Sequence, residues 1–289
     1  MIDNSRLYRS AEGYTAMMAA YDATLARWPV PYECLTVPTR HGATHIITSG
    51  DPAAPPLILL GGAGANATRW LPNIGELSKD FRTYCLDGLG ETGRSAPNRP
   101  SYRGDAYGEW LVDVFDALHL ERANVAGISR GGWLTLKIAI YAPDRVNRIV
   151  PMSAQGLAPL SLSFLVHMLP VIVFPTEGSI KRLTRFSSAP NLPPDERLGQ
   201  RIYLIFKHYR SNRSRVPNFT DDELRRISAP TLLLWGAYEG AYNVTRANER
   251  AVRLIRDLCI EVIPNAGHTV SDDQPALVNA RITAFLKQT

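Results

Sequence analysis

The run Gly127-Ile128-Ser129-Arg130-Gly131-Gly132 contains a serine whose neighbours could make it attack a carbonyl. It matches the spacing G-x-S-x-G, and the flanking residues supply the context that this spacing needs. Ala123-Asn124-Val125-Ala126 before it reads as an apolar strand, and Trp133 to Tyr141 after it reads as a helix. A strand–turn–helix corner of this kind holds a serine in a strained conformation at its tip, with the hydroxyl presented outward. Small residues on either side let strand and helix come close enough for the tip to form.

A serine hydroxyl is a weak nucleophile at neutral pH and needs an adjacent base. The chain has six histidines. His41 and His45 fall in an N-terminal hairpin, His119 at a helix end, and His167 and His208 in a mid-chain helical stretch. His268, in Asn265-Ala266-Gly267-His268, follows the last apolar strand run, where loops gather at the carboxyl edge of an open sheet. By position it is the base. A base of this kind needs a carboxylate to fix its tautomer and stabilise the imidazolium. The loop after Trp235 reads Gly236-Ala237-Tyr238-Glu239, and Glu239 is its only acid. Met152-Ser153-Ala154 offers none, and Asp272 and Asp273 fall at the start of the last helix. The order is Ser129, Glu239, His268.

Three loops along one edge call for a parallel sheet with helical crossovers. Strands are expected over 33–38 and 44–49, joined by the turn His41-Gly42, and then over 57–60, 83–87, 123–128, 147–152, 231–235 and 259–263. Helical spacing covers 10–28, with Ser10 as N-cap, then 104–119, 131–141, 245–257 and 275–287. From 153 to 227 the alternation stops. That segment is rich in proline and holds nine Lys/Arg against Asp195 and Glu196 between Lys181 and Arg215, a local +7 in a chain of net charge +5. The predicted architecture is α/β: a mostly parallel central sheet flanked by helices, with residues 1–152 and 228–289 as core and 153–227 as an inserted helical cap.

With 289 residues, 45% hydrophobic and 20% charged, the chain can bury a substantial core, which argues against disorder. Cys34, Cys85 and Cys259 lie far apart, too far for a zinc motif or disulfide framework; they read as small core residues of a cytoplasmic protein. No basic, apolar leader follows Met1, and the apolar stretch 157–174 is interrupted by Pro159, His167 and Pro170. It reads as part of a lid and not as a membrane span. The glycines at 61–64 lack the Gly-Lys-Ser/Thr of a phosphate loop, and the mild charge without aromatic interleaving gives no case for nucleic acid. No metal or cofactor is expected.

The three motifs in this order resemble the α/β-hydrolase superfamily, nearest to small bacterial carboxylesterases with a helical cap, over about residues 30–287. Leu57 to Trp70 resembles the oxyanion loop of that family, with Gly61 where a histidine usually stands. The resemblance implies the backbone amides of Ala63 and Arg130 as donors to a tetrahedral oxyanion. Asp87 to Ser95 resembles the Asp-x-x-Gly-x-Gly-x-Ser segment with one extra residue, and it is assigned no catalytic role. The implied activity is that of a cofactor-free serine hydrolase cleaving small-molecule carboxylic esters through an acyl-enzyme. Phe164, Leu165 and Met168 are expected to line the substrate pocket. Thioesterases, lactonases and C–C bond hydrolases share the arrangement, and a ligand receptor that keeps a hydrolase pocket is the competing class. A homodimer is compatible with this reading.

Overall fold

The computed structural model describes residues 3–193, 196–212 and 214–288. Eight strands form one sheet: β1 (Tyr32–Val37), β2 (Thr44–Ser49), β3 (Pro56–Leu60), β4 (Arg82–Leu86), β5 (Ala123–Ile128), β6 (Val146–Met152), β7 (Thr231–Gly236) and β8 (Leu258–Ile263). Their spatial order is β1-β2-β4-β3-β5-β6-β7-β8. β2 is antiparallel to both neighbours, and every other pair is parallel. The helices are α1 (Ala11–Leu25), α2 (Leu71–Leu77), α3 (Ala106–Ala117), α4 (Arg130–Tyr141), α5 (Leu162–Val173) and α6 (Glu177–Ser187). Then come α7 (Glu196–His208), α8 (Asp221–Arg225), α9 (Val244–Leu254), α10 (Val270–Asp273) and α11 (Pro275–Leu286).

The continuous apolar strands are central because both of their faces are covered. Successive side chains point to opposite faces. Ile58, Leu60, Val125, Leu233 and Trp235 therefore pack with α3, α4 and α9, while Leu57, Leu59, Ile128, Leu232 and Leu234 pack with α1, α2 and α11. Burying each such side chain contributes roughly 1.5–3 kcal/mol. Ser10 caps α1 by accepting from the Gly13 amide, as expected. Two cysteines depart from the expectation. Cys85 is buried in β4, but Cys34 and Cys259 are exposed because β1 and β8 are the sheet edges, where cover is thin.

Between β6 and β7 lie α5, α6 and α7, which pack on one another through Val171, Ile180, Leu183, Phe206 and their neighbours. The return leg lies against the core: Phe219 stacks on Trp133 at 5.1 Å, and Leu224 of α8 is fully buried. α5 runs through Pro170, although proline lacks the N–H that would bond the preceding turn. Among the described residues, no helix is long and apolar enough to cross a membrane.

Candidate active site

Ser129 sits between β5 and α4 with φ 56° and ψ −113°. That conformation costs a non-glycine residue on the order of 1–3 kcal/mol and persists only when its surroundings over-determine it. Here they do. The Ser129 amide donates to the Met152 carbonyl at 2.9 Å, and its carbonyl accepts from the amides of Trp133 and Gln155, both at 3.1 Å. A Cβ on Gly127 would lie 2.3 Å from the Gly131 carbonyl oxygen, and one on Gly131 would lie 2.1 Å from that of Leu60. Both glycines are therefore needed for the corner to close against β3.

The loops after β7 and β8 bring Glu239 and His268 to this serine. His268 Nε2 is 3.1 Å from Ser129 Oγ, and Nδ1 is 3.0 and 3.1 Å from the two carboxylate oxygens of Glu239. A proton on Nδ1, facing the carboxylate, leaves the Nε2 lone pair for the hydroxyl. Glu239 has no exposed side-chain surface and also accepts from the Ala241 amide at 2.7 Å. Burial disfavours both charges, yet the pairing outweighs it: Glu239 is held below the usual carboxylate value and His268 above the usual imidazole value. The histidine loop is itself fixed. The His268 amide donates to the Ser187 carbonyl at 2.7 Å, and the Gly267 amide donates to the Asp273 carboxylate at 2.7 Å. Asp272 pairs with Arg69 and Arg201, so the two acids beyond His268 are engaged elsewhere.

A cavity of about 600 Å³ opens over Ser129 and His268. Phe164, Met168 and Ile172 form its α5 wall, one stripe at spacing i, i+4, i+8, and α7 contributes Ile202, Ile205 and Phe206. Leu165 is a correction. It is 47% exposed and does not line the cavity, because one step along a helix turns about 100° away from the stripe. Ala63 and Arg130 both line the cavity beside Ser129. Arg130 opens α4, where a first-turn amide has no partner within the helix.

Two features carry weight that sequence reading did not assign. Tyr242 is buried with its ring 5.8 Å from the imidazole, and burial pushes its hydroxyl well up. Asp87, fully buried, accepts from the amides of Ala67 (2.6 Å) and Arg94 (2.8 Å) and from the Tyr21 hydroxyl (3.2 Å), and lies 3.0 Å from His45 Nδ1. Only residue spacing hinted at its segment, and its partners come from three other parts of the chain. Among the described residues, no group of three or more His, Cys, Asp or Glu side chains is disposed to hold a metal.

The alpha/beta hydrolase family pattern matches residues 57–281. The chain is 36% identical to carboxylesterase YbfK of Bacillus subtilis (strain 168) over 298 residues, covering 99% of this chain and 98% of that one. The crystal structure of carboxylesterase CesB (YbfK) from Bacillus subtilis superposes with a TM-score of 0.86 at 34% identity, over 96% of this chain and 99% of that one. Naproxen esterase (carboxylesterase NP) from Bacillus subtilis gives a TM-score of 0.86 at 31% identity, over 96% and 100%. With the sheet order, the strained corner at Ser129 and these matches in agreement, the chain belongs to the alpha/beta hydrolase family.

Proposed function

We propose that the protein is a serine hydrolase that cleaves carboxylic esters through an acyl-enzyme. The observation that carries this reading is the hydrogen-bonded line Glu239–His268–Ser129, whose histidine and serine open onto a cavity with apolar α5 and α7 walls. Ser129 Oγ attacks the acyl carbon while His268 Nε2 takes its proton, with Glu239 holding the tautomer and the imidazolium charge. The oxyanion of the tetrahedral intermediate faces the amides of Ala63 and Arg130. His268 then protonates the departing alcohol, and a water activated by the same nitrogen releases the acid. The names of the similar Bacillus carboxylesterases support ester as the bond cleaved. In this reading α5, α6 and α7, within 153–227, are the cap, and their apolar stripe receives the acyl or aryl group.

The test is turnover of short aryl esters with and without EDTA, in wild type and Ser129→Ala. Wild-type hydrolysis that survives EDTA and vanishes in Ser129→Ala is the expected result. Tight ligand retention with no turnover of any ester, thioester or lactone would replace the enzyme reading with a receptor.

A further inference from the structure

We propose that Glu91 and Thr92 are positioning residues that hold the oxyanion loop in its working shape and tie that shape to α7; this rests on the serine-hydrolase reading above. The loop after β3 is weakly built on its own. It runs Gly61-Gly62-Ala63-Gly64, with glycine where the resembling family usually has histidine. The Ala65 amide closes a turn onto the Gly62 carbonyl at 3.2 Å, and Gly64 sits at φ 68°. In a turn with glycine at its third position, the central peptide can rotate between two forms. Rotation of the Ala63–Gly64 peptide would turn over the Ala63 carbonyl and the Gly64 amide and so loosen the turn that carries the Ala63 amide, the expected donor.

Both sides of Gly64 are gripped. Its amide donates to Glu91 Oε2 at 2.7 Å, and its carbonyl accepts from Thr92 Oγ1 at 2.8 Å. Glu91 and Thr92 are both buried, so water does not compete freely for these groups. The second oxygen of Glu91 accepts from the Arg130 guanidinium, and Arg130 is the residue whose amide is the other expected donor. Burial opposes the Arg130 charge, and the adjacent Glu91 carboxylate holds the guanidinium protonated nonetheless. One carboxylate thus touches both segments that frame the oxyanion.

The same carboxylate meets the cap. Tyr209, just past α7, places its hydroxyl 3.1 Å from Glu91 Oε2 and 2.6 Å from the Gly90 carbonyl. A Cβ on Gly64 would lie 3.0 Å from Ile205 Cγ2 of α7. Displacing α7 therefore disturbs the turn through two contacts. Glu91 and Thr92 stand between Gly90 and Gly93, where the chain is one residue longer than the Asp-x-x-Gly-x-Gly-x-Ser pattern. The added residue and the missing histidine meet at one turn.

Thr92→Val, Glu91→Gln and Tyr209→Phe test this, with kinetics on a p-nitrophenyl ester and inhibition by an aryl trifluoromethyl ketone. That ketone is attacked by Ser129 Oγ: a C–O bond forms, the carbonyl electron pair moves to oxygen, and the proton passes to His268. The resulting oxyanion occupies the hole, and the matching methyl ketone serves as the ground-state control. Thr92→Val and Glu91→Gln should lower kcat about ten- to a hundredfold, a share of the roughly 10²–10³ that losing a donor outright costs. KM and methyl ketone affinity should stay within about threefold, while trifluoromethyl ketone affinity falls with kcat/KM. Tyr209→Phe should give a smaller loss of the same kind. Unchanged kcat and trifluoromethyl ketone affinity in Thr92→Val overturns the proposal, as does a fall in thermal midpoint with both ketones weakened equally. If Glu91→Gln fails to fold because Arg130 loses its counter-charge, Thr92→Val, which keeps that pair, decides. A wild type that turns over no ester, or a Ser129→Ala variant that stays active, sinks the underlying hydrolase reading instead.

Discussion

The two walls of the cavity are built differently. On the sheet side, Ser129 is held by three backbone hydrogen bonds and two glycines with no room for a Cβ, and the His268 loop is stitched down on both sides. On the cap side, Val171 is the buried residue of α5, while Leu162, Leu165, Val166, Leu169, Ile172 and Val173 are all more than about 45% exposed. A wall that positions reacting atoms tolerates little displacement, since a shift of about 1 Å can cost on the order of 10²-fold in rate. A wall that only has to present apolar surface tolerates far more. Under the reading proposed above, the difference places the reacting groups on the sheet edge and acyl selectivity on the exposed stripe of α5, while Ser187 of α6 and Tyr209 after α7 brace the reacting loops.

The sharpest way to break that assignment is to remove the reacting groups. Ser129→Ala and His268→Ala should each lower kcat by about 10⁴–10⁶-fold in steady-state kinetics. Melting curves should show little change for Ser129→Ala and a lowered midpoint for His268→Ala, which strands the buried Glu239 carboxylate. Glu239→Gln should lower kcat by about 10⁴-fold, through loss of tautomer and charge. Near-wild-type turnover in that variant would move the acid elsewhere.

The pH profile sharpens the same side. His268 must be neutral to accept a proton, and its pairing with Glu239 holds its pKa above the ordinary value. kcat/KM should therefore fall as pH drops through that raised value, and Glu239→Gln should move this acid limb downward. The pair's contribution to stability has two limits. It is lost as pH falls through the lowered value of Glu239 and as pH rises through the raised value of His268. An acid limb unmoved by Glu239→Gln would deny the pairing.

Gly131→Ala probes the frame itself. Its methyl would meet the Leu60 carbonyl, so a loss of a few kcal/mol in urea unfolding is expected, more than at any exposed α5 residue. On the cap side, Phe164→Ala and Met168→Ala should shift acyl-chain preference and raise KM, while Leu165→Ala should change neither KM nor stability beyond about 0.5 kcal/mol. The smallest effect concerns charge. Arg201 reaches Asp272, Lys207 lies over the Tyr203 ring, and Arg210 donates to the Tyr8 carbonyl. Asp195 and Arg213, counted in the +7 window, lie outside the described residues. Raising salt from 0.01 M to 0.1 M shrinks the Debye length from about 30 Å to about 10 Å. An acidic and a neutral ester of equal size should respond alike, and a selective loss for the acidic one would give the basic cap a steering role.

What could be read from the sequence followed the range of the signals. The strands at 57–60 and 123–128 and the helix capped by Ser10 announce themselves within a dozen residues, through apolar runs and local hydrogen bonding. Ser129, His268 and Glu239 were singled out because strand ends mark where loops converge, and the structure brings those three side chains within hydrogen-bond distance. Asp87 and Glu91 were missed as hubs because their donors come from distant segments that no local pattern links. Leu165 was misplaced for a subtler reason. In a helix that is apolar nearly all round, composition cannot say which stripe faces inward. Cys34 and Cys259 were misjudged because strand membership says nothing about edge position.

The hydrogen bond from the His268 amide to the Ser187 carbonyl joins the loop after β8 to the end of α6, inside the segment 153–227 proposed above as an inserted cap. Gly267 packs so tightly against Ser187 that a Cβ there would lie 2.2 Å from its oxygen, and Ala189 lends a backbone contact to Asp273. The insertion is therefore not an exchangeable cassette. Anyone grafting a foreign lid at residues 153 and 227 would remove the strut that supports the histidine loop. A workable graft keeps 187–189 with the recipient and cuts inside α6, so the modular unit is smaller than the chain connectivity implies.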